Sequence, residues 1–266
     1  MAADALRRAI DGGHVDELRR VLAEDPSLAG ATITWDGNDS DPLHYLSDAP
    51  FHGLARHDRF GDLARVLIEA GAPVDGPPEA GETPLIAAAS LGRADVARVL
   101  IEAGADLEKT GVAVAHGTAL SHAVEFGFPE LVDGLWEAGA KVRTLKDAAG
   151  VGDVSGFLSP DTPESTRAEA LRAAAVCERL EVIDQLLATS LPVDAEVDGS
   201  TALHAAAWEG KAATVRHLLD CGADLERRDA HNNSTPLGWC RYRRSQLGRS
   251  PGHEAAEQAL VERGAS

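Results

Sequence analysis

The sequence predicts an all-α solenoid of about eight stacked helix pairs, with N- and C-terminal caps and two shortened central connections. The first observation is the stretch Thr201 to Glu226, which reads as two short antiparallel helices. Thr201 is placed to N-cap the first helix, because its hydroxyl can accept from a backbone N–H of the first turn. Leu203, Ala206 and Ala207 give that helix one apolar face, and Gly210 permits the break. Val215, Leu218 and Leu219 form the buried stripe of the second helix, and Gly222 can take the left-handed conformation that ends it. The second observation is that one such hairpin cannot cover its own apolar faces and has to stack on copies of itself.

The third observation is that the copies are present. Thr83-Pro84-Leu85 leads through Ala87-Ala88-Ala89 and Gly92 to Val99-Leu100-Ile101 and Gly104-Ala105-Asp106. Thr118-Ala119-Leu120 leads through Ala123 and Gly127 to Leu135-Trp136 and Gly139-Ala140, and Asp41-Pro42-Leu43-His44 opens another copy that closes with Leu67-Ile68 and Gly71-Ala72. Leu85 to Leu120 spans 35 residues and Leu203 to Leu237 spans 34. These motifs resemble the ankyrin repeat family, whose pattern runs Thr-Pro-Leu-His, Ala-Ala, Gly, Val-Leu-Leu, Gly-Ala-Asp at a period of ~33. The resemblance covers nearly all of residues 1–266, read as one domain, and implies a recognition role.

In chain order, residues 1–30 form an N-capping unit, with Leu6, Ala9 and Ile10 on one helix and Leu18, Val21 and Leu22 on the next. Arg7, Arg8, Arg19 and Arg20 suit the solvent side of a cap. Thr32 to Ser40 reads as loop. Its Asp36-Gly37-Asn38-Asp39-Ser40-Asp41 run lacks the later glycine and bidentate Glu of a calcium loop, so an N-capping turn before Pro42 is the expectation. The repeat at 41–75 carries an insertion at 50–58, where Pro50 is expected to end the first helix early. His44, His52 and His57 fall near one another, but His44 occupies the histidine position of the Pro-Leu-His opening and the other two sit on a loop without a carboxylate or thiolate at ligand spacing, so they read as structural or solvent histidines. Regular repeats fill 81–143. Residues 144–167 hold a shortened repeat, helix-break-helix from Leu145 to Leu158, and a Pro-rich loop. Regular repeats resume over 168–231, and 232–266 form the C-capping unit.

Composition narrows the function classes. Asp and Glu outnumber Lys and Arg by 43 to 25, for a net charge of −18, which repels phosphate backbones and argues against nucleic-acid binding. Cys177, Cys221 and Cys240 show no Cys-x-x-Cys pairing, so neither a disulfide framework nor a metal site is expected. No apolar run reaches membrane-spanning length and the N-terminus lacks a signal-peptide core, so a cytoplasmic monomer is expected, with no membrane association. An Arg-rich, Lys-poor basic set points to a bacterial source. No cofactor is implied, and no catalytic residue stands out: Gly-x-Ser-x-Gly, His-Glu-x-x-His and Walker-type loops are all missing.

What is left is a surface. Residues five and six after each leading Leu point roughly 140° and 240° round the first helix, away from its buried face. In proteins that resemble this one those positions line the concave binding surface. Here they include Leu91, Glu125, Phe126, Val151, Trp208, Glu209, Tyr242 and Arg243, with Val176 and Cys177 beside a loop that can cover them. Aromatic and arginine side chains dominate interface energetics, which makes a protein partner the expected ligand. The alternative is an apolar small molecule, bound or converted in a groove at the shortened repeats, with Glu125, Glu209 or His122 moving protons. Trp136 and Trp239 read as core residues.

Overall fold

A computed structural model of the chain describes residues 2–78, 81–112, 114 and 116–265. The chain forms two compact units, residues 1–126 with 130–141, and residues 127–129 with 142–266.

The first unit contains α1 (Ala2–Asp11), α2 (Val15–Glu24), a 3-10 turn at Pro26–Gly30, β1 (Ile33–Trp35), β2 (Asn38–Ser40), α3 (Pro42–Phe51), α4 (Phe60–Glu69), α5 (Pro84–Ser90), α6 (Ala94–Glu102), α7 (Ala119–Glu125) and most of α8 (Pro129–Glu137). First helices pack on first helices, α3 on α5 and α5 on α7, and second helices follow, α2 on α4 and α4 on α6. The core is the expected one: Leu43, Leu85 and Leu120 are fully enclosed, and so are Leu67 and Leu100 on the second helices. The caps are also as read. Asp41 accepts from the N–H groups of Leu43 and His44, Thr83 from Ile86 and Thr118 from Ser121.

Three readings of this unit need correction. Thr32 to Ser40 is a hairpin, with β1 and β2 paired antiparallel from Ile33 opposite Ser40 to Trp35 opposite Asn38. Its two turn residues, Asp36 and Gly37, both carry positive φ, 44° and 83°, the Asp-Gly turn that matches strand twist. Pro50 does not stop α3, which runs to Phe51: the proline sits in the last turn, where it forfeits a single helical bond, and the rest of the insertion, 52–58, is turn and loop. The histidines of this repeat are structural or solvent-facing, as read, with His52 exposed. His57 stacks on Phe60 at 4.0 Å and its Nε2 lies 2.7 Å from the Ile10 carbonyl, while His52 sits 4.5 Å from the Trp35 ring and His44 3.6 Å from Asp48. Trp136 is half exposed, because Leu131, Val132 and Leu135 fill the buried face of α8 and the next residue turns ~100° out of it.

The second unit holds α9 (Leu145–Val151), α10 (Glu164–Val176), α11 (Leu180–Leu187), β3 (Glu196–Val197), β4 (Ser200–Thr201), α12 (Ala202–Trp208), α13 (Ala212–Asp220), α14 (Pro236–Leu247) and α15 (Pro251–Glu262). Helix α10 packs on α9 and α12, α12 on α14, and α13 on α15. Thr144, Thr201 and Thr235 cap α9, α12 and α14. At Thr201 the cap is a full capping box, with His204 reaching back to the Thr201 N–H. Its Nε2 then meets the Ser234 carbonyl of the next connection at 3.1 Å, which ties adjacent repeats together.

The shortened repeat has one helix, not two. Gly152, at φ 108°, ends α9 in the left-handed region. The Asp153 carboxylate then accepts from the backbone and hydroxyl of Ser155, folding 153–157 into a turn with Val154 buried. Among the described residues there are therefore seven helix pairs and one unpaired helix, α9.

Candidate functional site

In the second unit, three aromatic rings meet on the side of α12 and α14 turned away from the leading leucines. Trp208 ends α12, and its carbonyl is held by His253 of α15, whose Nε2 lies 2.7 Å away. Tyr242 lies in α14 at the equivalent position one repeat later, and its ring stacks on Trp208 with centroids 6.1 Å apart and planes inclined by 24°. Trp239 meets Trp208 edge to face at 5.6 Å. The Arg243 guanidinium lies 5.2 Å from the centroid of the Trp208 ring, within cation–π range. Together with Asn232, Ser234 and Gly238, these rings line a cavity of about 600 Å³. That volume lies within the range of ligand sites, ~300–1,000 Å³.

The cavity wall is held by one carboxylate. Asp229 is 3% exposed and accepts from the N–H groups of His231 at 2.9 Å, Asn232 at 2.7 Å and Ser234 at 2.9 Å. It also accepts from the Trp239 indole at 3.0 Å. Burial works against its charge, but these four donors outweigh burial and hold it well below the usual carboxylate range. The connection at 229–234 and the Trp239 ring are thereby locked to the same anchor. Glu209, next to Trp208, is pushed upward by burial, partly opposed by the positive charges of Arg243, Lys211 and Arg172.

The predicted site residues divide. Trp208, Glu209 and Arg243 are half-buried at this site and Tyr242 is 61% exposed, all presented by α12 and α14 as the spacing requires. Val151 is a correction: it is 8% exposed, and Val176 and Cys177 are buried as well, so the shortened repeat presents no open apolar stripe at these residues. For Val151, at the end of α9, the neighbour is the long, alanine-rich α10, which packs on α9. Trp239 is the residue that sequence reasoning missed. Two residues after Leu237 is roughly 200° round the helix, a direction that leads away from the core, so the signal was present in the spacing.

In the first unit, Leu91 and Phe126 are the residues that follow α5 and α7, and Glu125 ends α7. Leu91 and Glu125 are half-buried, while Phe126 is 38% exposed with its ring 6.4 Å from His122. His122 is fully enclosed, with Nδ1 2.7 Å from the Ser90 hydroxyl, so it bridges neighbouring first helices and presents no ring to a ligand.

The family model described as ankyrin repeats, three copies, matches residues 51–146 and 148–229. The chain belongs to the ankyrin repeat family. Among solved structures, the human ASB11 ankyrin repeat domain is similar over 100% of this chain and 98% of its own, at 23% identity and a TM-score of 0.45. None of the curated proteins compared matches the sequence. Ankyrin repeats generally serve as protein–protein interaction modules. Among the described residues of this ankyrin repeat protein, no helix is long and apolar enough to cross a membrane.

Proposed function

We propose that this chain is a protein-recognition module that seats an apolar or aromatic side chain of its partner in the Trp208–Trp239–Tyr242 cavity. The observation that carries the reading is the convergence of three rings on an accessible cavity whose wall is held rigid by Asp229. Rigid aromatic surfaces bury large area at low entropic cost, and a pre-formed wall avoids an ordering penalty on binding. Arg243 and Glu209, opposite in charge and close enough for the Arg243 charge to act on the Glu209 carboxyl, supply directional polar contacts at the edge. Leu91, Glu125 and Phe126 are proposed as a separate contact surface of the first unit. The cavity volume also favours a second reading, a small apolar ligand held by the same rings.

The test is affinity capture from host lysate with the wild type and a Trp208→Ala/Tyr242→Ala double variant, followed by mass spectrometry of proteins and small molecules. A protein retained by the wild type and lost by a folded double variant supports the recognition module. A co-purifying apolar small molecule without a protein supports the second reading. Equal capture by both chains would rule out the cavity as the site.

A further inference from the structure

The second helices of this chain follow one plan at their C-terminal ends, and two neighbouring repeats depart from it together. The residue after the second helix is alanine in most copies, as at Ala70, Ala103, Ala138 and Ala188, and its N–H bonds to the carbonyl four residues back. That earlier residue is Val66, Val99 or Gly134 in three of the copies. In the copy built on α11 it is Asp184. In the copy built on α13 it is His217, and the alanine has become Cys221. The three departures converge in space. Asp184 Oδ1 lies 2.8 Å from His217 Nε2, and one ligand atom of each of the three residues lies within 4.8 Å of the others. We infer that Asp184, His217 and Cys221 form a metal-binding site for a zinc-class divalent ion, clipping α11 to α13.

Geometry and donor chemistry both support this. Histidine and cysteine four residues apart lie on one face of a helix, and the aspartate approaches from the helix of the preceding repeat at the matching level. A thiolate, an imidazole and a carboxylate form a borderline-soft set, which suits tetrahedral Zn²⁺ better than Mg²⁺ or Ca²⁺. Zinc bonds of ~2.0–2.3 Å place tetrahedral ligand atoms roughly 3.3–3.6 Å apart, and the three ligand atoms here already lie within 4.8 Å of one another. The fourth position is left to water or to a side chain of a partner. Both helices end here, so the negative ends of two macrodipoles add to the Asp184 charge in attracting a cation. The neighbouring Arg263 is engaged by Asp220, which directs its positive charge to a different carboxylate. On binding, the Cys221 S–H bond breaks, its proton passes to solvent and the sulfur lone pair forms the bond to the metal, with no change of oxidation state. The site is independent of the aromatic cavity, and its success or failure says nothing about recognition there.

Cobalt is the probe, because a Co²⁺–thiolate bond gives a near-ultraviolet charge-transfer band and tetrahedral Co²⁺ gives strong visible bands. The metal-free full chain is titrated with Co²⁺ and then with Zn²⁺. The expected result is both sets of bands saturating at one equivalent with micromolar or tighter affinity, and their loss when Zn²⁺ displaces cobalt. Cys221→Ser is expected to abolish the charge-transfer band. His217→Ala is expected to weaken binding by more than the ~10-fold that a lost outer-shell partner costs. Circular dichroism confirms that each variant is folded, and zinc is expected to raise the melting temperature of the wild type but not of Cys221→Ser. The inference is overturned by absence of the bands, by binding only at millimolar cobalt, or by a charge-transfer band that survives in Cys221→Ser and so arises from Cys177 or Cys240.

Discussion

Replacing Asp229 with Asn keeps the shape of the side chain and removes half of its function as an anchor. One carboxylate oxygen accepts from the N–H groups of His231 and Asn232, and the other from Ser234 and the Trp239 indole. An amide offers a single acceptor oxygen, so whichever way it turns, two bonds remain and its NH₂ group faces two donors. Hydrogen bonds to a charged acceptor contribute ~1.5–3 kcal/mol each. Relief from burying a charge offsets part of the loss, which leaves a net destabilisation of ~2–3 kcal/mol for Asp229→Asn. The measurement is urea denaturation followed by tryptophan fluorescence at neutral pH, repeated under acid conditions. The folded carboxylate titrates below its unfolded value of ~3.9, so its contribution is complete above about pH 5 and is lost as pH falls through the folded value. The wild type loses that contribution on acidification and the Asn variant has none to lose, so the gap between them narrows. A gap below ~0.5 kcal/mol at neutral pH, within the ordinary range of surface substitutions, would refute the anchor argument. A gap of the same size at pH 3 and pH 7 would refute its electrostatic part.

Other substitutions test neighbouring links. Trp208→Ala is expected to weaken partner binding by ~2 kcal/mol or more in a titration while changing the melting temperature little; a collapse in stability with binding intact would make Trp208 a core residue. Gly210 and Gly222 both hold positive φ, 68° and 89°, but a Cβ on Gly210 would meet His253 Nδ1 at 2.7 Å and its backbone N at 2.8 Å, whereas nothing lies within 4 Å at Gly222. Gly222→Ala should therefore cost only the left-handed strain of ~1–2 kcal/mol, and Gly210→Ala clearly more; equal losses in denaturation would remove the close-approach argument. His204 is fully enclosed, and burial pushes its pKa below the usual histidine value despite the Ser234 carbonyl and nearby acids. Its contribution is present above ~6.5 and lost as pH falls through the lowered folded value, so wild-type stability should fall more steeply than that of His204→Ala between pH 6.5 and 5. At neutral pH the same variant should lose ~2–3 kcal/mol of stability, from two hydrogen bonds and a packed ring.

The repeat plan was legible in the sequence because each repeat is a local object. The caps at Thr83, Thr118, Thr201 and Thr235, the leading leucines and the break glycines act within one hairpin, and the ~33-residue period copies them along the chain. The outward direction of Trp208 and Tyr242 followed from the same helical spacing. Misreadings arose where a residue's environment comes from elsewhere in the fold. Val151 occupies a surface position by spacing but is buried beside α10, whose length a period cannot convey. Trp136 is hydrophobic by type, yet Leu131, Val132 and Leu135 already fill the face it would have joined.

By itself the sequence determined the regular helix pairs, their caps and the outward direction of Trp208 and Tyr242, since these depend on dihedral preferences and periodicity within ~33 residues. Only the tertiary structure decided that Asp229 holds Trp239 beside Trp208 and Tyr242, and that Asp184 comes within 2.8 Å of His217. The physical reason is that hydrogen bonds and ring contacts act over a few ångströms. Whether side chains 30 or so residues apart come within that reach is set by how one repeat seats on the next.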